Sequence, residues 1–456
     1  MANSRNSAPA DPVAVVHAAL AAALADHVPV RASVAVALSG GIDSMVLLDA
    51  LVPLARLRGT TLTAVHVNHG ISPRAEHWAT FCAEQCALRG VTLVTRVLAL
   101  RRGQRANLEA VARHARYRML READADVIAL AHHADDQAET VLLQLLRGAG
   151  PRGLSAMPRF APGTPALWRP LLDLTRATLA GYAAERGIAW IVDESNADIH
   201  HKRNLVRHEI APRLAAHFPG YPATLSRAAL HQAEASNLFD ALASDDAQGA
   251  MVDGELDCAR LNALSASSPP RARNLLRWFL RSHGLRAPSE ARLMDMLRQL
   301  VAARSDTRTQ ILHDGAEIGC HRGSIVVHAP SPAPFVYAWH GEPEVRLPGG
   351  MLAFEATRGS GIAAAMLEQQ PVVLRPRSGG ERLQTAPNRP RRALKKLLQD
   401  AGIALWQRQS LPLVWCGDRL AAVPGIGVDL AFQAAAGEVG WTVDWRPARH
   451  DDTALD

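Results

Sequence analysis

Two short segments of this 456-residue chain hold most of the side chains able to do chemistry. The first is Ser39-Gly40-Gly41-Ile42-Asp43-Ser44, between an apolar run (Val34 to Leu38) and a helix-like pattern that opens at Met45. Glycines let backbone N–H groups close on an anion, and a helix N-terminus adds unsatisfied donors and a positive dipole end. With the hydroxyls of Ser39 and Ser44 beside them, the segment is suited to holding phosphate. The G-x-x-x-x-G-K spacing of a Walker loop and the G-x-G-x-x-G fingerprint are both missing. The second segment runs His132-His133-Ala134-Asp135-Asp136-Gln137-Ala138-Glu139. On a helix Asp135 and Glu139 share a face. Carboxylates facing a phosphate loop suit Mg²⁺, which takes oxygen ligands from one or two carboxylates and the substrate. A further carboxylate would attract an ammonium group.

Arginines supply the remaining chemistry. Arg203 and Arg207 stand one helical turn apart and are spaced to clamp phosphate or a developing negative charge. Arg113 and Arg116, with Tyr117, line a similar helix face upstream. The chain carries a net charge of +6, but only three of its fifty basic residues are lysines, so arginine excess reflects composition as well as function. Distribution says more. Residues 101–121 hold seven arginines against one acid, and residues 371–400 hold eight Lys/Arg against two acids. The second window includes Arg389, Arg391, Arg392, Lys395 and Lys396. Together the two windows favour a polyanionic substrate.

These groups need elements to position them. From about residue 30 to 195, strand-like runs at 33–38, 61–67, 91–98 and 126–131 alternate with helix-like segments near 44–57, 74–89, 105–122 and 136–147. That alternation predicts an α/β domain with a parallel sheet covered on both faces. Ligands of such sheets sit at the strands' carboxyl ends, where both chemical segments and His66-Val67-Asn68-His69 fall. Residues 222–303 read as mainly helical, with helices expected over Arg271–Leu280 and Glu290–Val301. Short strands are expected at 309–313 and 324–328. A proline-rich linker then precedes a small α+β region with one basic helix near Arg391–Ala401. The predicted domains are 1–217, 218–330 and 340–456. Five scattered cysteines fit a reducing compartment rather than a disulfide framework. The apolar stretch near Ala14–Ala25 is too short to span a bilayer and lacks a signal peptide's basic start, so a cytoplasmic protein is expected.

The loop Ser39–Ser44 resembles the SGGxDS loop of enzymes that split ATP between its α and β phosphates. With it come Glu109, Arg113, Arg116-Tyr117, His132–Thr140, Arg147-Gly148, Arg169-Pro170-Leu171-Leu172, Asp193-Glu194-Ser195-Asn196 and Arg203-Asn204…Arg207, in matching order. The chain thereby resembles the tRNA(Ile)-lysidine synthetase family of the PP-loop ATP pyrophosphatases. Softer likenesses follow at Arg377–Arg382, Leu394–Leu398 and Ala422–Gly427. The resemblance implies a Rossmann-like PP-loop domain, a mainly helical middle domain and a small α+β C-terminal domain, the latter two binding tRNA.

It also implies a ligase that uses ATP and Mg²⁺ to adenylate the wobble cytidine of tRNA(Ile) with a CAU anticodon. Free L-lysine then displaces AMP to give lysidine. On this reading Ser39, Gly40, Gly41, Ile42, Asp43 and Ser44 hold ATP, and Asp43 and Asp136 contact the metal. His132, Asp135 and Glu139 surround the lysine amine, while Arg203 and Arg207 stabilise charge on the adenylate. Arg113, Arg116, Arg389, Arg391, Arg392, Lys395 and Lys396 meet tRNA. A homodimer is compatible with it. The main alternative is a tRNA thiolase sharing the loop, which would need a catalytic cysteine pair or an iron–sulfur site that the spacing of these cysteines does not provide. A small-molecule ligase would not need the basic C-terminal region.

Overall fold

A computed structural model describes residues 11–68, 70, 74–98, 108–193, 198–303, 309–330 and 333–447, with the side chains of 108–114 and 405 left aside. The chain packs as two units, Met1–Leu238 and Phe239–Asp456.

The first unit begins with α1 (Pro12–His27), then alternates β1 (Ser33–Ala37), α2 (Ile42–Arg58), β2 (Thr61–Asn68), α3 (Ala75–Arg89), β3 (Thr92–Val97), α4 (Leu108–Arg121), β4 (Val127–Ala129) and α5 (Ala134–Leu145). The sheet order is β3-β2-β1-β4-β6-β5, where β5 is Phe160–Ala161 and β6 is Ala166–Trp168. Every pair is parallel except β5 with β6. Side-chain alternation explains the two covered faces. Val34 and Val36 of β1 enter one core with Leu20, Leu24, Met45 and Leu48, while Ala35 turns to a second core with Val65, Val67 and Ile128. The expected α/β architecture holds. Helix α2 starts at Ile42, earlier than its apolar pattern, because the glycine turn itself supplies the cap at Gly41.

Strand order reverses between β1 and β4: the chain moves outward through β2 and β3, then returns to β4 on the other side of β1. A crevice opens at the carboxyl ends of two such strands. The unit continues with α6 (Pro151–Leu154), α7 (Arg176–Glu185), α8 (Lys202–Leu205), a π-helical turn (Val206–Ile210), α9 (Ala211–His217) and the first part of α10 (Tyr221–Ala247).

In the second unit α11 (Cys258–Ser267), α12 (Pro269–Ser282) and α13 (Glu290–Ala302) pack with a five-stranded antiparallel sheet, β7-β8-β11-β10-β9. Its strands are β7 (Met251–Val252), β8 (Glu255–Asp257), β9 (Gln310–His313), β10 (Ala316–His321) and β11 (Ser324–His328). Leu275, Leu276, Phe279, Leu293, Met296 and Ile318 join helices and sheet in one core. The expected helices are present. Strand β10 escaped the sequence pattern because its residues 316–319 are buried on both faces and do not alternate.

The C-terminal part is β-rich, with one five-stranded and one four-stranded sheet. Its long strands, Gly350–Arg358 and Val439–Pro447, pair with each other, and Val372–Pro376 pairs with Pro412–Cys416. The expected basic helix is shorter than its charge pattern. Arg392–Ala393 pair as a strand with Arg382–Leu383, and the helix spans only Leu394–Asp400.

Candidate active site

The glycine loop follows β1. Gly40 sits at φ +83°, and a Cβ there would lie 2.8 Å from Ile191 Cδ1 and 3.2 Å from Cys82 Sγ. No other residue fits that backbone and that space. The loop is braced from inside: Ser44 Oγ donates to the Gly41 carbonyl at 2.9 Å, lies 3.1 Å from Ser39 Oγ, and accepts from Ser39 N at 3.2 Å. Ile191 N donates to the Gly40 carbonyl at 2.9 Å. The hydroxyls therefore hold the loop's shape as well as offering donors. Beneath it, buried His66 donates from Nδ1 to the Leu38 carbonyl at 2.9 Å, fixing the strand end.

The acidic segment follows β4 and opens α5. His133 caps that helix: its Nδ1 accepts from Asp136 N at 3.4 Å, and Asp136 Oδ2 accepts from His133 N at 3.2 Å. With Nδ1 accepting, the proton lies on Nε2, which faces Asp43 Oδ2 at 3.7 Å and Asp136 Oδ2 at 3.4 Å. One buried imidazole thus ties the loop after β1 to the helix after β4. The bridging role falls to His133 and not to His132, the histidine that the sequence pattern singles out. The cap position just ahead of Asp135-Asp136 was the available signal. His132 is half-buried and close enough for its charge to act on Asp136.

Asp136 and Glu139 are both buried and form the floor. Arg203 donates from Nε to Glu139 Oε2 at 2.9 Å and from Nη2 to Asp136 Oδ1 at 3.0 Å. Arg207 donates from Nε to Glu139 Oε1 at 2.6 Å, and from Nη2 to Asp136 Oδ1 at 2.7 Å and Glu139 Oε2 at 3.0 Å. Two forks therefore grip two carboxylates, the strong geometry for such pairs. The π-helical turn beginning at Val206 lies directly in this segment, a distortion frequent at functional sites.

The electrostatics differ sharply between the acids. Burial raises the Asp136 carboxyl, but His133, Arg203, His132 and Arg207 outweigh it and bring it down to about 2. Asp43 goes the other way. Burial raises it above its ordinary value, His133 opposes this, and Asp136 adds to it. Arg207 is raised: burial lowers it, and Glu139 and Asp136 more than offset that. Asp135 stands apart from the floor, its Oδ2 accepting from Arg176 N at 2.8 Å at the start of α7.

The structure thus brings Ser39 through Ser44, Asp43, Asp135, Asp136, Glu139, Arg203 and Arg207 to one crevice. The side chain of Arg113 and residues His69 and Glu194–Asn196 lie outside the described residues. Arg116 lies on α4, with its guanidinium carbon 5.8 Å from the Tyr117 ring centre. The C-terminal basic run is largely paired. Arg391 holds buried Asp429 at 2.9 Å, and Arg392 and Lys396 meet Asp400 at 2.6 and 3.6 Å. Cys82 and Cys86 are buried thiols pushed up to about 12 and about 11, chiefly by burial, the opposite of what a reactive cysteine needs.

Three family models match in order: a PP-loop domain over residues 14–214, a TilS substrate binding domain over 260–326 and a TilS substrate C-terminal domain over 372–445. The tRNA(Ile)-lysidine synthase of Nitrosomonas europaea is 43% identical over 425 residues, covering 91% of this chain and 92% of the relative. The chain belongs to the tRNA(Ile)-lysidine synthase family. The enzyme of the same name from Chromobacterium violaceum is also 43% identical, over 91% of this chain and 95% of its own. That of Azoarcus sp. is 41% identical over 90% and 91%. Membership makes this protein a ligase with an ATP-binding PP-loop. Among the described residues, no helix is long and apolar enough to cross a membrane.

Proposed function

We propose that the protein joins free L-lysine to C2 of the wobble cytidine of a tRNA(Ile) with a CAU anticodon, giving lysidine, AMP and diphosphate. The observation that carries the proposal is the convergence of the braced loop with the Asp136–Glu139–Arg203–Arg207 cluster at the reversal between β1 and β4. The family assignment supports the choice of substrates.

Cytosine C2 is a poor electrophile with a poor leaving group, so activation comes first. The loop's N–H groups and hydroxyls orient ATP. The cytidine C2 oxygen attacks the α-phosphorus, and the bond to the β-phosphate oxygen breaks. Arg203 and Arg207, pre-positioned by Glu139, stabilise the charge that builds there. The lysine amine then attacks C2, and AMP departs with the former C2 oxygen. Free lysine is mostly ammonium at neutral pH, with a reference pKa of about 10.4, so the site must hold the cation and take a proton. Asp135 and His132 border the cluster without an arginine fork and are assigned to that task. Glu139, with both oxygens on arginines, is assigned a positioning role.

The donor set fits Mg²⁺. Asp43 Oδ1 is buried without a hydrogen-bond partner, as an oxygen intended for a cation would be. Among the described residues no three His, Cys, Asp or Glu side chains form a closed metal cage. Magnesium does not need one, since it keeps water and phosphate oxygens. Asp43 and Asp136 would hold it, and when bound it would offset charge on the departing diphosphate. The three-domain division at 1–217, 218–330 and 340–456 belongs to this proposal, each part enclosing one matched model. So does the homodimer, for which sedimentation gives the mass.

The test supplies radiolabelled lysine, ATP, magnesium and an unmodified CAU-anticodon isoleucine tRNA. Label entering acid-precipitable RNA and surviving mild alkaline deacylation is expected. Absence of label, with AMP formed only when a sulfur donor replaces lysine, would replace this reading with the thiolase one.

A further inference from the structure

The basic run at 389–396 spends three of its cations on Asp429 and Asp400. A second basic cluster, not apparent as a run in the sequence, is assembled by the fold of the second unit. Arg322 lies in the turn between β10 and β11 in the left-handed region, at φ +50°. Its guanidinium occupies the space that a side chain at Gly402 would fill, and Gly402 itself sits at φ +73°. From the C-terminal part, Arg408 donates from Nε to the Ile403 carbonyl at 2.6 Å. One turn, Gly402-Ile403, therefore gathers basic groups from segments eighty residues apart in the chain.

No ion pair neutralises Arg322, Arg377 or Arg408 among the described residues. Burial, then the charges of Arg377 and Arg322, hold Arg408 below its ordinary value, so these cations lie close enough to repel. Glu381 is a counter-charge near Arg377: its Oε1 accepts from Ser378 N and Gly379 N at 2.6 and 2.7 Å, and its Oε2 is buried with no hydrogen-bond partner. Glu255 acts on His321. Beside the cluster, His328 stacks flat on Trp406 at 4.3 Å and His321 meets its edge at 5.5 Å. The Trp406 ring is thus already covered on the side facing His328. It buttresses the cluster instead of offering that face to a base.

Two guanidinium groups held on one turn, neither with an ion pair among the described residues, cost folding energy that a bound anion returns. We propose that Arg322 and Arg408 form a binding site for RNA backbone phosphate at the Gly402–Ile403 turn. The planar guanidinium fork matches phosphate geometry, and such contacts position RNA without reading its sequence. Identifying the anion as RNA rests on the tRNA substrate proposed above.

The test uses the full-length protein and an unmodified tRNA transcript, with filter binding over a range of KCl concentrations. In Arg322→Ala/Arg408→Ala, affinity near physiological salt is expected to fall about tenfold or more, and the salt slope to lose about two units. The kcat at saturating tRNA and the KM for ATP stay unchanged. The double lysine variant, R322K/R408K, keeps most of the slope. Affinity and slope within twofold of wild type for the alanine pair would overturn the site. So would equal losses in both pairs with a lowered melting temperature, which would mark the arginines as structural. Millimolar inorganic phosphate binding the wild type but not the alanine pair, with tRNA affinity unchanged, would assign the cluster to a small anion instead. Binding is read without turnover, so a protein that binds RNA through these arginines yet makes no lysidine refutes the proposed function and leaves this site standing.

Discussion

Glu139→Gln separates two roles for a residue at the centre of the site. The carboxylate is 3% exposed and accepts three bonds, two from Arg207 and one from Arg203. Glutamine keeps the shape and one acceptor oxygen, but it removes the charge and turns an NH₂ toward a guanidinium. A hydrogen bond to a charged partner contributes about 1.5–3 kcal/mol, and a neutral one about 0.5–1.5 kcal/mol. Three bonds weakened by about 1–1.5 kcal/mol each give a loss of about 3–4.5 kcal/mol. That agrees with the roughly 3–5 kcal/mol expected when a buried pair loses one partner. The urea midpoint of the first unit should therefore fall, and peptides covering 202–217 should exchange hydrogen faster. Diphosphate release should slow because Arg203 and Arg207 lose their alignment. If Glu139 instead met the lysine amine, the substitution would raise the KM for lysine and leave stability and diphosphate release alone. An unchanged urea midpoint together with a defect confined to lysine would refute the positioning argument.

Four other outcomes follow from the same geometry. Gly40→Ala should cost about 1–3 kcal/mol for the backbone and a similar amount for overpacking against Ile191; urea titration and the KM for ATP report both. Asp43, raised mainly by burial, loses its charge as pH falls toward a value above its ordinary 3.8, so the acid limb of diphosphate release should lie there. His133→Asn keeps a capping oxygen but removes the group that holds Asp43 down, and the limb should move to higher pH; an unmoved limb would contradict the assignment. Asp136, brought down to about 2, contributes stability that is present above 3.8 and lost only as pH falls toward about 2, so Asp136→Asn should flatten acid unfolding in that window. Arg391→Ala removes the ion pair of buried Asp429 but leaves its bonds from Gln384 N and Ala431 N, and Arg391 is half exposed, so the C-terminal part should lose about 1–2 kcal/mol, with little change in the salt slope of tRNA binding.

Much of the first unit was legible because its code is local. Short apolar strands and amphipathic helices alternate, and both chemical segments sit where a strand becomes a helix. The strand order was not legible, and it decides the site: only the reversal between β1 and β4 sets the two segments side by side. Strand β10 was hidden for a related reason. Burial on both faces removes the alternation that marks a half-exposed strand.

The site residues divide along the same line. Ser39–Ser44 and Asp135–Glu139 announce themselves by spacing, because backbone turns and helix faces fix relations over a few residues. Relations across 64 to 71 residues, such as Arg203 and Arg207 gripping Asp136 and Glu139, have no local signature. They change what the residues mean. Glu139, read alone, is a free carboxylate suited to an amine; under two guanidinium forks it becomes a support for arginines. The basic run at 389–396, read alone, is a polyanion-binding face; paired with Asp429 and Asp400 it becomes partly structural. The reverse holds at Gly402, where charges scattered through the sequence become a cluster. Sequence spacing thus identifies which groups are chemically able, and the tertiary pairing decides which of them still have charge to offer a substrate.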